Sequence, residues 1–426
     1  MHPAALLDLT TELLRAVLRL ESPADAVVSA YFRQHRELGP RERHVLAETA
    51  YAVLRRKLLF EHLARHVGGA PSNPALAARR LAMLAWQGSE SALKAALQPQ
   101  EQDWLAKAAS VDRAALPENL RHNLPDWLAH PLREQLDDAG FWALADALNQ
   151  PAALDLRVNA LKAKRAEVHG ALAEAGIESA PTPYSPWGLR VPGKPALTQL
   201  AGFKHGNFEV QDEGSQLLAL LTDARRGEMV VDFCAGAGGK TLALGAAMRN
   251  TGRLYAFDVS GHRLEALKPR LARSGLSNVH PAQIAHERDD RIKRLAGKID
   301  RVLIDAPCSG LGTLRRNPDL KWRQSPQAVE ELRAKQAAIL ESAARLLKPG
   351  GRLVYATCSL LRAENEDVAA AFSEARARDF EPLSALDALQ QAHVERADEL
   401  VQDGFLRLWP HRHGTDGFFA AVWQRR

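Results

Sequence analysis

Asp232-Phe-Cys-Ala-Gly-Ala-Gly-Gly-Lys-Thr241 follows the apolar run Met229–Phe233, and its reading decides the fold. A short apolar run bounded by glycines predicts a buried strand that turns sharply into a helix. Glycine lets the backbone approach a ligand that a Cβ would keep away. The next apolar run, Arg253–Asp258, ends on an acid able to accept two hydrogen bonds from ribose hydroxyls. Loop and acid together predict the nucleotide half of a Rossmann-like site, outside the carboxyl ends of the strands. The expected cofactor contacts are Cys234, Ala235, Gly236, Ala237, Gly238, Gly239 and Lys240 of the loop, with Asp258 and Asp305.

Two rival readings of the loop fail. A phosphate-binding Walker loop needs glycine five residues before the Gly-Lys pair, where this chain has Cys234. A dinucleotide fingerprint breaks at its third glycine, which is Thr241.

Working outward, further strands are expected at Asn278–Ile284, Asp300–Asp305 and Arg352–Thr357, with an edge strand at Phe418–Trp423. Helical patterns lie between them, notably His262–Ser274 and Pro326–Leu347. Alternation of this kind predicts an α/β domain over 226–426 with a mostly parallel, seven-stranded sheet. Residues 151–225 predict a small α+β linker domain. It has a strand at Leu154–Asn159, a helix at Arg165–Ala175 stopped by Gly176, and a Pro/Gly-rich stretch, Pro181–Pro195. Residues 1–150 show no strand-like alternation. Leu6, Leu9, Leu13, Ala16, Val17 and Leu20 recur at helical spacing, and Arg41–Leu63 reads as one amphipathic helix.

Composition narrows the partners. The net charge is +5 over 426 residues and the pI is about 9.1, mildly basic and compatible with nucleic acid. No apolar run is long enough to span a membrane, and Asp8 and Glu12 interrupt the N-terminal apolar pattern, so neither a membrane segment nor a signal peptide is expected. Three cysteines without Cys-x-x-Cys spacing argue against disulfides and against a zinc site and suit a reducing cytoplasm. His411 and His413 have no third ligand nearby in sequence, so no metal is expected.

The cysteines follow three strands: Cys234 the first, Cys308 the fourth in Asp305-Ala-Pro-Cys-Ser309, and Cys358 the fifth in Thr357-Cys-Ser359. Those strands are neighbours in a switch-point sheet, so all three thiols are expected at one crevice. Cys308 and Cys358 read as functional; Cys234 reads as packing within the cofactor loop.

These motifs resemble those of the Sun/Fmu, or NOL1/Nop2-type, family of RNA cytosine-5 methyltransferases. The resemblance rests on Gly238-Gly-Lys-Thr241, Asp305–Ser309, Thr357–Ser359 and Glu364-Asn-Glu366, with Val210-Gln-Asp212 upstream and Asp416-Gly-Phe-Phe419 near the end. It runs from about Leu154 to the C-terminus. It implies a class I methyltransferase domain and S-adenosyl-L-methionine as cofactor. It also implies Cys358 as nucleophile and Cys308 as the residue that aids product release. The chemistry is coherent: carbon 5 of cytosine attacks a methyl sulfonium poorly until a thiolate has added at carbon 6. Asp305 would hydrogen-bond the ring nitrogen and exocyclic amine, and Lys240 would favour the thiolate.

One departure stands out. The family places an acid after the third strand to hold the adenine; here that stretch is Gln283-Ile-Ala-His-Glu-Arg-Asp-Asp290, with Gln283, His286 or Glu287 as replacements. The run Arg41–Arg56 resembles the NusB-like RNA-binding helical domain of the bacterial 16S ribosomal RNA enzymes. The partner implied is 16S ribosomal RNA, bound by a monomer. The same chemistry on transfer RNA or 23S RNA is the alternative. A non-catalytic assembly factor is disfavoured, because it would have no need to keep Cys358, Asp305 and the glycine loop. Leu314-Arg-Arg-Asn-Pro-Asp-Leu-Lys-Trp322 mixes basic groups with an aromatic and is expected to contact phosphate and stack on a base.

Overall fold

The computed structural model describes residues 1–426. It contains two compact units, Met1–Pro151 with Thr313–Ser325, and Ala152–Gly312 with Pro326–Arg426. No helix is long and apolar enough to cross a membrane.

The first unit is helical. Its helices include Pro3–Val17, Ala24–Gln34, Pro40–Arg55, Lys57–His66 and Pro74–Leu84. Proline opens three of them, where the missing N–H costs nothing. The single helix expected over Arg41–Leu63 is two: Arg56, at φ −122° and ψ 35°, leaves the helical region and starts a second axis. Their apolar stripes close a core around Leu7, Leu13, Leu46, Leu54 and Leu63. Trp322 packs on that core and donates its indole N–H to the Leu54 carbonyl at 2.7 Å. Lys321 is 1% exposed, its ammonium held by the Arg55 carbonyl at 2.8 Å and Asn149 Oδ1 at 3.1 Å. This corrects the surface role expected for Leu314–Trp322: Lys321 and Trp322 are held inside the helical unit.

The second unit carries two sheets. The smaller has β1 (Leu154–Val158), β2 (Ala180–Pro181), β3 (Gly188–Val191) and β4 (Phe208–Val210), antiparallel in the order β2-β3-β1-β4. The helix Arg165–Glu174 covers it through Val168 and Leu172.

The larger sheet has β5 (Met229–Asp232), β6 (Arg253–Asp258), β7 (Val279–Gln283), β8 (Ile299–Asp305), β9 (Leu347–Thr357), β10 (Phe380–Leu383), β11 (Val401–Gln402), β12 (Phe405–Leu408) and β13 (Phe418–Arg425). Its order is β11-β12-β13-β9-β8-β5-β6-β7, with β10 on the outer part of β13. Strands β5 to β9 are parallel, as the alternation of strands and helices predicts, and β13 returns antiparallel to β9. Nine strands stand where seven were expected and six were placed; the three not placed, β10, β11 and β12, are runs of two to four residues, too short to show alternation. The chain moves one way from β5 through β6 to β7, then crosses back to β8 and β9. The reversal puts the switch point, and with it the ligand crevice, between β5 and β8.

Candidate active site

The loop after β5 is shaped by two left-handed glycines. Gly236 (φ +56°) has open space where a Cβ would stand, and Gly238 (φ +83°) would drive a Cβ to 2.1 Å from Leu267 Cδ1. The helix Gly239–Ala247 starts there, with free N–H groups at its first turn. Asp258, at the end of β6, accepts from Gly236 N at 2.8 Å through Oδ2 and from Ser260 N at 2.7 Å through Oδ1. Each oxygen keeps a lone pair for a ribose hydroxyl, so a nucleoside fits the donor set and the open cradle at Gly236. Arg270 ties the loop down, donating to the Ala237 carbonyl at 2.7 Å while paired with Glu209 on β4.

Adjacent parallel strands β8 and β9 deliver the two thiols. Cys308 and Cys358 lie sulfur to sulfur at 3.4 Å, both partly exposed. The hydrogen bond with Cys358 and then burial push the Cys308 thiol well above its ordinary range. Cys234 does not join them. It packs with Val231 and Phe233 in a different apolar cluster from Cys358 and makes no sulfur contact with either thiol. Burial, reinforced by Asp305, Asp232 and Asp258, raises its thiol as well. Two of the three thiols are in direct contact; Cys234, directly after Phe233, feels the Asp305 charge but packs in the other apolar cluster.

Asp305, at the end of β8, pairs with Lys240 Nζ at 2.7 Å through Oδ2. Its side chain is 31% exposed, leaving Oδ1 open to a ligand. Burial works against the Lys240 charge, but Asp305 outweighs it and holds the ammonium protonated. The Lys240 ammonium also stands 5.9 Å from the centre of the Phe418 ring.

Two supporting carboxylates were not assigned roles from the sequence. Glu364 is wholly buried between the loops that follow the cysteines. It accepts from Ser309 N (2.8 Å), Ser309 Oγ (2.5 Å), Ser359 Oγ (2.5 Å) and Gln336 Nε2 (3.0 Å). The Glu-Asn-Glu run signalled it; only the fold shows that it clamps both cysteine loops. Asp232 is also fully buried. Thr241 Oγ1 donates to it at 2.7 Å, and burial pushes its pKa up to about 7.

The two distant sequence signatures meet, since Asp416 N donates to Asp212 Oδ1 at 3.1 Å. Beyond β7, Gln283 turns its amide to the Val259 carbonyl (3.0 Å) and His286 Nδ1 accepts from Arg288 N (3.1 Å). Glu287 lies 3.7 Å from Arg288. The carboxylate folded back against this strand end is Asp289, which accepts from Ala285 N at 3.0 Å.

Comparison with known proteins places these features in context. The family model described as 16S rRNA methyltransferase RsmB/F matches residues 219–424, and one described as an RsmF/B-like ferredoxin-like domain matches residues 124–198. The chain is 32% identical over 438 residues to the probable ribosomal RNA small subunit methyltransferase B of Synechocystis, covering 96% of this chain and 97% of that one. Among solved structures, PH0851 superposes with a TM-score of 0.79 at 27% identity, covering 100% of this chain and 99% of its own. A methyltransferase homologue from Pyrococcus horikoshii gives 0.62 at 29% identity, covering 74% of this chain and 100% of its own.

Proposed function

The chain belongs to the ribosomal RNA small subunit methyltransferase B family, S-adenosylmethionine-dependent enzymes that act on ribosomal RNA, and from that premise we propose that it methylates carbon 5 of one cytosine in 16S ribosomal RNA through a covalent adduct on Cys358. The observation that carries this reading is the pair of thiols at 3.4 Å beside a carboxylate–ammonium pair, Asp305 and Lys240. Methylation at a nitrogen or at a ribose hydroxyl needs no such pair.

S-adenosylmethionine supplies the methyl sulfonium; the glycine loop and Asp258 would hold it. Asp305 Oδ1 would hydrogen-bond the ring nitrogen or amine of the cytosine, drawing electron density from carbon 6. Cys308, whose thiol keeps its proton, is placed to donate to the Cys358 sulfur. The Cys358 thiolate forms a bond to carbon 6, and the electron pair of the 5,6 double bond becomes available at carbon 5. Carbon 5 takes the methyl group as the methyl–sulfonium bond breaks and S-adenosylhomocysteine is left; the carbon-5 proton then passes to solvent, the double bond re-forms and the carbon–sulfur bond breaks. Cys308, in contact with Cys358, is placed to assist that last step by donating its S–H to the departing Cys358 sulfur. The helical unit is read as an RNA-binding part of the same enzyme.

Bisulfite sequencing of 16S ribosomal RNA from a strain lacking the protein tests the substrate. One cytosine should lose its protection and regain it on complementation with the intact chain but not with Cys358→Ala. Unchanged 16S protection would overturn the assignment of substrate.

A further inference from the structure

Arginines in this chain commonly find carboxylates: Arg79 pairs with Glu101, Arg133 with Glu118, Arg190 with Asp155, Arg270 and Arg273 with Glu209, and Arg301 with Glu228. Several arginines of the helical unit do not, and three of these share one cleft. Arg55, Arg56 and Arg113 line one cleft of about 320 Å³, and no carboxylate pairs with any of them. The remaining polar lining is Gln87, Asn149 and a single acid, Glu48.

Positive charge also lies beneath the cleft. Lys321 is buried, with its ammonium on the Arg55 carbonyl and on Asn149 Oδ1, both from lining residues. Burial, then the charges of Arg55 and Arg56, push that ammonium well below its ordinary range. Arg55 is itself only 9% exposed; one of its N–H groups goes to the Arg315 carbonyl at 3.2 Å, and burial lowers its pKa too. Like charges gathered in a half-desolvated cleft repel, and folding keeps them together at a cost unless an anion joins them. Guanidinium groups present paired N–H donors that match phosphate oxygens, which a lysine cluster would not do as well.

We propose that Arg55, Arg56 and Arg113 form a docking site for a backbone phosphate of the RNA substrate, within the helical unit. The site rests on the proposed RNA substrate and adds where the helical unit grips it. A phosphate contact carries no sequence information; its part is to fix the register of the RNA on the enzyme.

The test uses the full chain and the double variant Arg56→Ala/Arg113→Ala, which leaves the buried Arg55 in place. Affinity for a 16S RNA fragment is read by fluorescence anisotropy between about 50 and about 200 mM salt. The double variant should bind roughly tenfold or more weakly, and the slope of log affinity against log salt should shrink by about one to two. Binding of S-adenosylhomocysteine should not change. Arg56→Lys/Arg113→Lys should keep the salt slope, whereas Arg378→Ala, an exposed arginine of the other unit, should leave RNA affinity within about twofold. If wild-type protein binds the RNA and the double variant matches it in affinity and slope, the docking site is overturned while the substrate reading stands. If wild-type protein does not bind the RNA, both fall. If inorganic phosphate raises the melting temperature of wild type but not of the double variant, with RNA affinity equal in the two, the cleft takes a free anion and the proposal is overturned.

Discussion

Cys308 and Cys358 hold their sulfurs 3.4 Å apart although fifty positions separate them in the chain. Parallel pairing of β8 with β9 brings them together, with Asp305 opposite Ala356 in the ladder just before the two loops. On the proposed mechanism one thiol attacks and the other keeps its proton and assists release. Cys308→Ala should still form the adduct and release it slowly, so that protein and RNA migrate together on a denaturing gel in an RNase-sensitive band. Cys358→Ala and the double variant should show no band. A band in Cys358→Ala alone would reverse the two roles.

Glu364 is expected to act as a positioning residue. It takes four hydrogen bonds from groups on or beside the two cysteine loops. Glu364→Gln keeps the shape but points an amide at donors, costing about 1–3 kcal/mol of stability. In the Cys308→Ala background the adduct should form at least tenfold more slowly, measured well below the melting temperature, with S-adenosylhomocysteine affinity unchanged. An adduct rate equal to that of the parent would show that Glu364 only stabilises the fold.

Asp258 holds the glycine loop and faces the proposed ribose site at once. Asp258→Ala should weaken S-adenosylhomocysteine binding by about 1.5–3 kcal/mol in calorimetric titration, through lost charge-assisted hydrogen bonds. An unchanged dissociation constant would remove β6 from the cofactor site.

Asp232 gives a pH dependence of stability. Burial raises its folded pKa from an ordinary 3.8 to about 7. Between those values the folded state holds a proton that the unfolded state has lost. Its contribution is therefore complete below about pH 4, falls as pH rises towards 7, and is gone above it; the whole change is on the order of 4 kcal/mol at most. Asp232→Asn should flatten this part of the curve. Denaturant unfolding at about pH 5 and about pH 8 reads the difference. Parallel curves for variant and wild type would mean that Asp232 stays ionised when folded.

Trp322 tests the corrected place of the segment after the Asp-Ala-Pro-Cys-Ser motif. Trp322→Ala should destabilise the helical unit by about 2–4 kcal/mol, through lost packing and the lost bond to Leu54. Cofactor affinity should not move. For the same reason, deleting residues 1–150 would strip the cover from Trp322 and Lys321, so the deletion should give a less soluble protein as well as weaker RNA binding. A stable Trp322→Ala protein with reduced RNA affinity would return this residue to the RNA-contacting surface.

The sequence by itself determined the parallel sheet and the positions of the chemistry at its strand ends. Alternating apolar runs and helical repeats are local patterns, and Gly236, Gly238, Asp258, Asp305, Cys308 and Cys358 all fall where such a run ends. The cysteine at 234 also falls at such an end and reads as packing within the loop; the fold adds that it lies in a different apolar cluster from Cys358. Tertiary structure alone decided that, as it decided the clamp at Glu364, whose partners lie up to 55 positions away. It also decided where Lys321 goes. A run of basic and aromatic residues reads as an RNA-contacting surface until the fold supplies Leu54, Arg55 and Asn149 to receive it. Period and spacing report which face of an element is apolar; they do not report which distant element covers that face.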